Sequence, residues 1–252
     1  MLGWLFNALN WLEANAFIHF PLPYRIALLG LAAGTCAIVL YKLVSNQAKI
    51  SSFKTTIRKL RREILKSDLE YSSFVQLNKQ NFKTSFKLLG YTLGPAILSA
   101  IPVLIVASWL HTYHGYAVPK QETIELQLSP VPEEKVFLLP ESIVLDRADG
   151  HFTLDQNWKK EIQIKTGGEI VYEGNPFSPP TPEIGKDSWW KSFFSPLPES
   201  LRDKSTINTI KLDLPRKQIM NIQPHWLFRW EGPYFIFVFI AAVAIKVFFR
   251  IQ

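Results

Sequence analysis

Apolar residues along this chain gather into three long runs. From Tyr24 to Val44 the sequence reads YRIALLGLAAGTCAIVLYKLV, with only Arg25 and Lys42 charged, both near its ends. From Leu88 to Leu110 it reads LLGYTLGPAILSAIPVLIVASWL, with no charge at all. At about 1.5 Å per residue that run crosses a hydrocarbon core of about 30 Å. From Pro233 to Phe249, PYFIFVFIAAVAIKVFF is shorter and carries Lys246 near its end, where a long side chain snorkels to the headgroups. The pattern predicts transmembrane helices over 24–44 and 88–110 and within 232–252, the last followed by a short tail. A buried core helix is the alternative for any one run, but a soluble chain of this size rarely hides two such helices.

Residues 1–23 begin MLGWLFNALNWLEANAFIHF and lack the basic n-region and small-residue cleavage site of a signal peptide. Gly3, Asn7, Asn10 and Glu13 recur at helical spacing among large apolar residues. This predicts an amphipathic helix in the membrane interface that turns into the first span at Pro21 and Pro23. A loosely structured hydrophobic arm packed on the spans is the alternative.

The polar segment 45–87 has its own period. Ile50, Phe53, Ile57, Leu60 and Ile64 are spaced 3, 4, 3, 4, the seam of a coiled coil. Ser67 and Glu70 form a plausible capping box for a second helix that runs into the span at Leu88, with Leu69, Phe74, Leu77 and Phe82 returning against the first arm. The result is an antiparallel helical hairpin with basic outer faces. Its first arm and turn carry Lys54, Arg58, Lys59, Arg61, Arg62 and Lys66. A charged face is often only a solvated face; the excess of cations over anions here also suits anionic lipid headgroups or nucleic acid phosphates.

Charge sets the orientation. The chain holds 28 Lys and Arg against 21 Asp and Glu, and the hairpin concentrates the excess. By the positive-inside rule the hairpin is cytoplasmic, with the N-terminus outside and the C-terminus inside.

Between the second and third spans, residues 111–231 alternate with period two in TIELQLS, EKVFLL, SIVLD, HFTLD, EIQIK, EIVYEG and NTIKLDLP. Ala148-Asp149-Gly150 and Thr166-Gly167-Gly168 are the clearest hairpin turns. These predict a small antiparallel sandwich or barrel outside the membrane. Within it, the proline-rich NPFSPPTPEIGKDSWWKSFFSPLPES places Trp189, Trp190, Phe193 and Phe194 at its centre, as a tip for the outer leaflet or a partner, or as a lid on the sheet. Trp226, Phe228, Trp230 and Tyr234 read as an aromatic belt at the start of the last span. The expected fold class is an α-helical polytopic membrane protein, with three transmembrane helices, an N-terminal interfacial helix and a cytoplasmic coiled-coil hairpin, plus an extracytoplasmic all-β domain.

Catalytic patterns are few. His111 and His114 in HTYH lack an accompanying carboxylate or cysteine cluster in the sequence, the single Cys36 excludes an internal disulfide, and there is no phosphate-binding loop, GxSxG or HExxH. No enzyme activity, cofactor or metal is expected. The chain also has no N-x-S/T acceptor, which fits a prokaryotic membrane.

The order of YRIALLGLAAGTCAIVLYKLV, the hairpin around IRKLRREILKSDLE, LLGYTLGPAILSAIPVLIVASWL and WEGPYFIFVFIAAVAIKVFFR resembles the three-span core of the YidC-like membrane-insertase superfamily. The resemblance covers about half of the chain. It implies a membrane-protein insertase or chaperone of membrane-protein biogenesis in a bacterial inner membrane. Its partners would be the lipid bilayer, newly made membrane proteins, the ribosome and other membrane-complex subunits. It also implies a partly hydrated groove that shelters polar parts of a client. In this sequence the groove candidates are Arg25, Thr35, Cys36, Thr92 and Ser99. Arg25 lies near the outer end of its span, a departure from the arginine that bacterial members often place within the groove, and the β-rich segment between the second and third spans is a second departure. A scaffold subunit presenting that segment outside is the alternative function.

Overall fold

The computed structural model describes residues 3–65, 70–118, 123–131, 136–139, 143–145, 151–155, 162–186, 201, 205–220 and 229–249. Among the described residues the helices are α1 (Gly3–Asn15), α2 (Leu22–Val44), α3 (Gln47–Ile64), α4 (Tyr71–His114) and α5 (Glu231–Phe248). Helices α2, α4 and α5 are long and apolar enough to cross a membrane. The chain divides into two compact units, Met1–Arg25 with Ala107–Gly232 and Ile26–Val106 with Pro233–Gln252, so the division passes through α2 and α4.

In the second unit, α2 buries Ile26, Leu29, Gly30, Ala33 and Gly34 on one stripe. The two glycines are what allow α5 to approach. A Cβ on Gly30 would lie 2.7 Å from the Tyr234 carbonyl oxygen, and one on Gly34 would lie 2.6 Å from that of Val238. Without a side chain at either position the two backbones pack directly, as small residues four apart permit between membrane helices. Tyr234, fully buried, donates its hydroxyl to the carbonyl of Val103 on α4 at 2.8 Å.

Helix α3 starts at Asn46, whose side chain accepts from the Lys49 backbone N–H at 3.1 Å. It buries Ile50, Ile57 and Leu60, three positions of the expected seam. Phe53 packs on Tyr91 with ring centroids 5.4 Å apart, and the Lys49 ammonium lies 5.2 Å over the same ring. The start of α3 therefore sits beside the opening turn of the charge-free run of α4. On α4 the half-buried stripe runs through Ser73, Leu77, Asn81, Thr84 and Leu88. Phe74 and Phe82, expected to return against α3, are 43% and 66% exposed instead. The apolar side of this arm faces outward and its inward stripe is largely polar. The expected capping box at Ser67 and the seam residue Leu69 fall in 66–69, outside the described residues.

Among the described residues the first unit contains α1 and two four-stranded antiparallel sheets. The strands are β1 (Thr123–Ser129), β2 (Val136–Leu139), β3 (Ile143–Leu145), β4 (His151–Asp155), β5 (Ile162–Thr166), β6 (Glu169–Gly174), β7 (Glu183–Gly185) and β8 (Thr209–Leu212). The sheet orders are β4-β1-β8-β7 and β3-β2-β5-β6. On β1, Ile124, Leu126 and Leu128 are buried while Glu125 and Gln127 are exposed, the alternation of a strand with one covered face. These residues join Val136 and Leu138, Ile162 and Ile164, and Ile210 and Leu212 in one core fed by both sheets. Gly167 and Gly168 turn β5 into β6 with φ of 57° and 83°, left-handed values that cost glycine nothing. Strand β7 has no counterpart in the sequence reading, because its three residues lie inside the proline-rich stretch. The turn at 148–150 lies outside the described residues.

Candidate functional site

The cations of α3 form an open surface. Arg58, Lys59, Arg61 and Arg62 are exposed and Lys54 is half-buried. Among the described residues none of them pairs with a carboxylate; the ion pairs present are Arg25–Glu13, His114–Glu13 and Arg216–Glu231. Lys66 lies outside the described residues. Lys79, Lys83 and Lys87 extend the charge along α4 at intervals of four, all exposed. Helical spacing puts these three on one side, next to the exposed Phe82 and Phe86, whose tilted rings have centroids 4.6 Å apart.

Beyond Lys87 the same helix enters its charge-free run without a break. Thr92, Pro95, Ser99 and Pro102 share its half-buried stripe. Thr92 donates to the carbonyl of Leu88 and Ser99 to that of Ala96, so both hydroxyl hydrogens are used within the helix and the oxygens remain as acceptors. Each proline also lacks the N–H that would reach the carbonyl four residues earlier, those of Tyr91 and Leu98. The stripe is thus a line of hydrogen-bond acceptors inside an apolar segment. Gly90 and Gly94 face open space, with nothing within 4 Å of a Cβ at either position.

The other groove candidates are not brought to this stripe. Thr35 and Cys36 lie on the exposed side of α2, where Thr35 donates back to Leu31. The Arg25 guanidinium is held at the start of α2 by the carbonyls of Phe20 and Ile18 and by Glu13. Two of the five candidates therefore share a face. The reason is local: Thr92 and Ser99 are seven apart on one helix, whereas Thr35 is turned outward once Gly30 and Gly34 face α5.

A second polar cluster surrounds the last turns of α4. Asn10 of α1 donates to the Tyr113 hydroxyl at 2.9 Å and accepts from the Trp109 indole at 2.8 Å. Glu13 receives His114 Nε2 at 2.9 Å and Arg25 at 3.4 Å. Burial alone pushes the Glu13 carboxyl up, but the hydrogen bond and charge of His114 and the charge of Arg25 outweigh it and hold the group below the ordinary glutamate value. So α1 turns Asn10 and Glu13 toward the protein and leaves Trp4 and Trp11 exposed. His111 points elsewhere, with its ring against Tyr116 and Trp230, and among the described residues no group of His, Cys, Asp and Glu could hold a metal.

One expectation about aromatic residues changes, and another falls outside the described residues. Trp230 and Tyr234 are buried, so they pack within the protein and do not form an exposed belt; Trp226 and Phe228 lie outside the described residues. Trp189, Trp190, Phe193 and Phe194 are likewise outside them. Comparison with protein-family models, with curated proteins and with solved structures finds no match.

Proposed function

We propose that the chain is a membrane-protein insertase or chaperone, with α2, α4 and α5 as its spans and the basic α3–α4 hairpin in the cytoplasm of a bacterial inner membrane. In this reading the N-terminus and the β-rich segment lie outside and the C-terminus inside. The observation that carries it is the continuity of α4. One 44-residue helix bears the exposed cations of the hairpin and then the acceptor stripe of Thr92, Pro95, Ser99 and Pro102.

The energetics follow from the cost of moving polar groups through hydrocarbon, several kcal/mol for each unsatisfied backbone group. Acceptors along α4 offer a client's N–H donors partners inside the membrane and so lower that barrier. The cations of α3 meet ribosomal phosphate or acidic parts of the client before it enters. No bond is made or broken.

A second reading, a scaffold subunit of a larger membrane complex, is favoured by the outward placement of Thr35 and Cys36, which leaves the polar lining one-sided. Photocrosslinkers at Thr92, Ser99 and Arg58, in intact membranes translating short membrane proteins, separate the two. Nascent chains caught from Thr92 and Ser99 but not from lipid-facing Thr35, with ribosomal contacts from Arg58, support the insertase. One constant set of membrane subunits, whatever is translated, sinks it in favour of the scaffold.

A further inference from the structure

We propose that Lys49, Lys87 and Tyr91 form a binding site for the phosphate of an anionic phospholipid, at the level where α4 enters its charge-free run. The site rests on reading α2, α4 and α5 as spans and not on insertase activity, since a scaffold subunit would hold the lipid equally well. The Lys49 ammonium, on the first turn of α3, lies 5.2 Å over the Tyr91 ring, and Phe53 packs on the same ring with centroids 5.4 Å apart. Lys87 stands four residues before Tyr91, on the same side of α4. Helical side chains lean toward the N-terminus, so the tyrosine leans toward the turn that carries this lysine. Two ammonium-bearing side chains and a phenol hydroxyl, all able to donate hydrogen bonds, thus surround one exposed stretch of α4.

Among the described residues no carboxylate pairs with either lysine. The sequence has no Asp or Glu within 14–62, within 71–121 or from 233 onward, so the acids of the second unit are Glu63, Asp68 and Glu70. From Lys49 to Glu63, α3 rises about 21 Å at about 1.5 Å per residue, too far for an ion pair. In the first unit, by contrast, Arg25 and Arg216 each meet a glutamate of the chain. The counter-charge for Lys49 and Lys87 comes from outside the protein.

Depth selects its source. Lys87 directly precedes the charge-free run and Tyr91 lies about 5 Å inside it, the level of the lipid headgroups once α4 spans the bilayer. A phosphodiester of the membrane already sits at this depth, whereas a ribosome meets the exposed cations farther along α3. Past Tyr91 the same side of α4 continues through Gly94, which has open space before it, to the exposed Leu98, a surface for the acyl chains.

Native mass spectrometry of the full-length protein, titrated in detergent with phosphatidylglycerol or with zwitterionic phosphatidylcholine, tests the site. We expect the first phosphatidylglycerol to bind about 25-fold more tightly, at about fivefold for each lysine beside an anionic headgroup. Lys49→Gln with Lys87→Gln should remove this preference and leave phosphatidylcholine binding as it was, the check that the variant is folded. Arg58→Gln with Lys59→Gln, farther along α3, should leave the preference intact. Equal binding of the two lipids overturns the site, as does a preference that survives the first pair of changes or one that the second pair removes to the same extent. Displacement of phosphatidylglycerol by excess inorganic phosphate overturns the lipid as its ligand. Retention of neither lipid removes the span reading and the site with it, whereas insertase activity is judged separately, by the crosslinks from Thr92 and Ser99.

Discussion

The carboxylate of Glu13 and the imidazole of His114 meet at 2.9 Å, tying the N-terminal helix to the final turn of α4. Because α1 directs Asn10 and Glu13 inward, this contact and the Asn10 bonds hold it together with the buried Phe6, while Asn7 stays exposed; an interfacial helix of the usual kind turns its whole polar side to water. Glu13→Gln should weaken docking of α1 by about 1.5 to 3 kcal/mol, the range for a hydrogen bond to a charged group. Limited proteolysis of residues 3–21 in nanodiscs measures it directly.

The same contact sets an acid limit. The Glu13 carboxyl stays ionised in the folded protein below the pH at which a free glutamate, with its value of 4.5, takes up a proton. As pH falls the unfolded chain binds the proton first, so the contribution of Glu13 is complete above that value and is lost as pH drops below it toward the depressed folded value. Thermal unfolding of the native protein should show this loss, and Glu13→Gln should remove that part of the pH dependence.

Gly30 and Gly34 make the sharpest packing prediction. Gly34→Val drives a side chain into the Val238 backbone and should cost about 1 to 3 kcal/mol or separate α2 from α5, as overpacking does. Cysteine pairs across the two helices report separation as a loss of crosslinking. Gly94→Ala, placed in open space, should leave both stability and crosslinking unchanged within about 0.5 kcal/mol.

How much of this was legible depends on how far apart the interacting residues lie. The three apolar runs, the seam of Ile50, Ile57 and Leu60, the alternation of β1 and the Gly167-Gly168 turn are local patterns, and each corresponds to an element or a buried face. Gly30 and Gly34 stand four apart within the first apolar run, but nothing local marks them as the approach of α5. The pairing of Glu13 with His114 joins the two separate stretches of chain that make up the first unit, and no periodicity announces it. Phe74 and Phe82 show the converse failure: large apolar residues at seam spacing face outward, because the stripe of Leu77, Asn81 and Thr84 takes the inward side.

Asn81 tests that inverted seam. Its Oδ1 is buried without a hydrogen-bond partner among the described residues. Asn81→Leu should therefore stabilise the α3–α4 hairpin by about 1 kcal/mol, since a buried unsatisfied oxygen costs about 1 to 3 kcal/mol. Should the substitution weaken the hairpin in thermal unfolding, Asn81 has a partner that keeps α3 and α4 in register.

The cations of α3 separate fold from function. Arg58, Lys59, Arg61 and Arg62 are exposed and unpaired among the described residues, so changing all four to Gln should alter stability little, each by within about 0.5 kcal/mol. Binding to ribosomes should fall steeply. If each cation displaces one counterion from phosphate, removing four should flatten the dependence of log affinity on log salt by about 3 to 4, following the slope per neutralised phosphate. Ribosome co-sedimentation across a salt series measures this. An unchanged slope with unchanged affinity would mean that the basic face is only a solvated one, and the hairpin would lose its role in receiving the client.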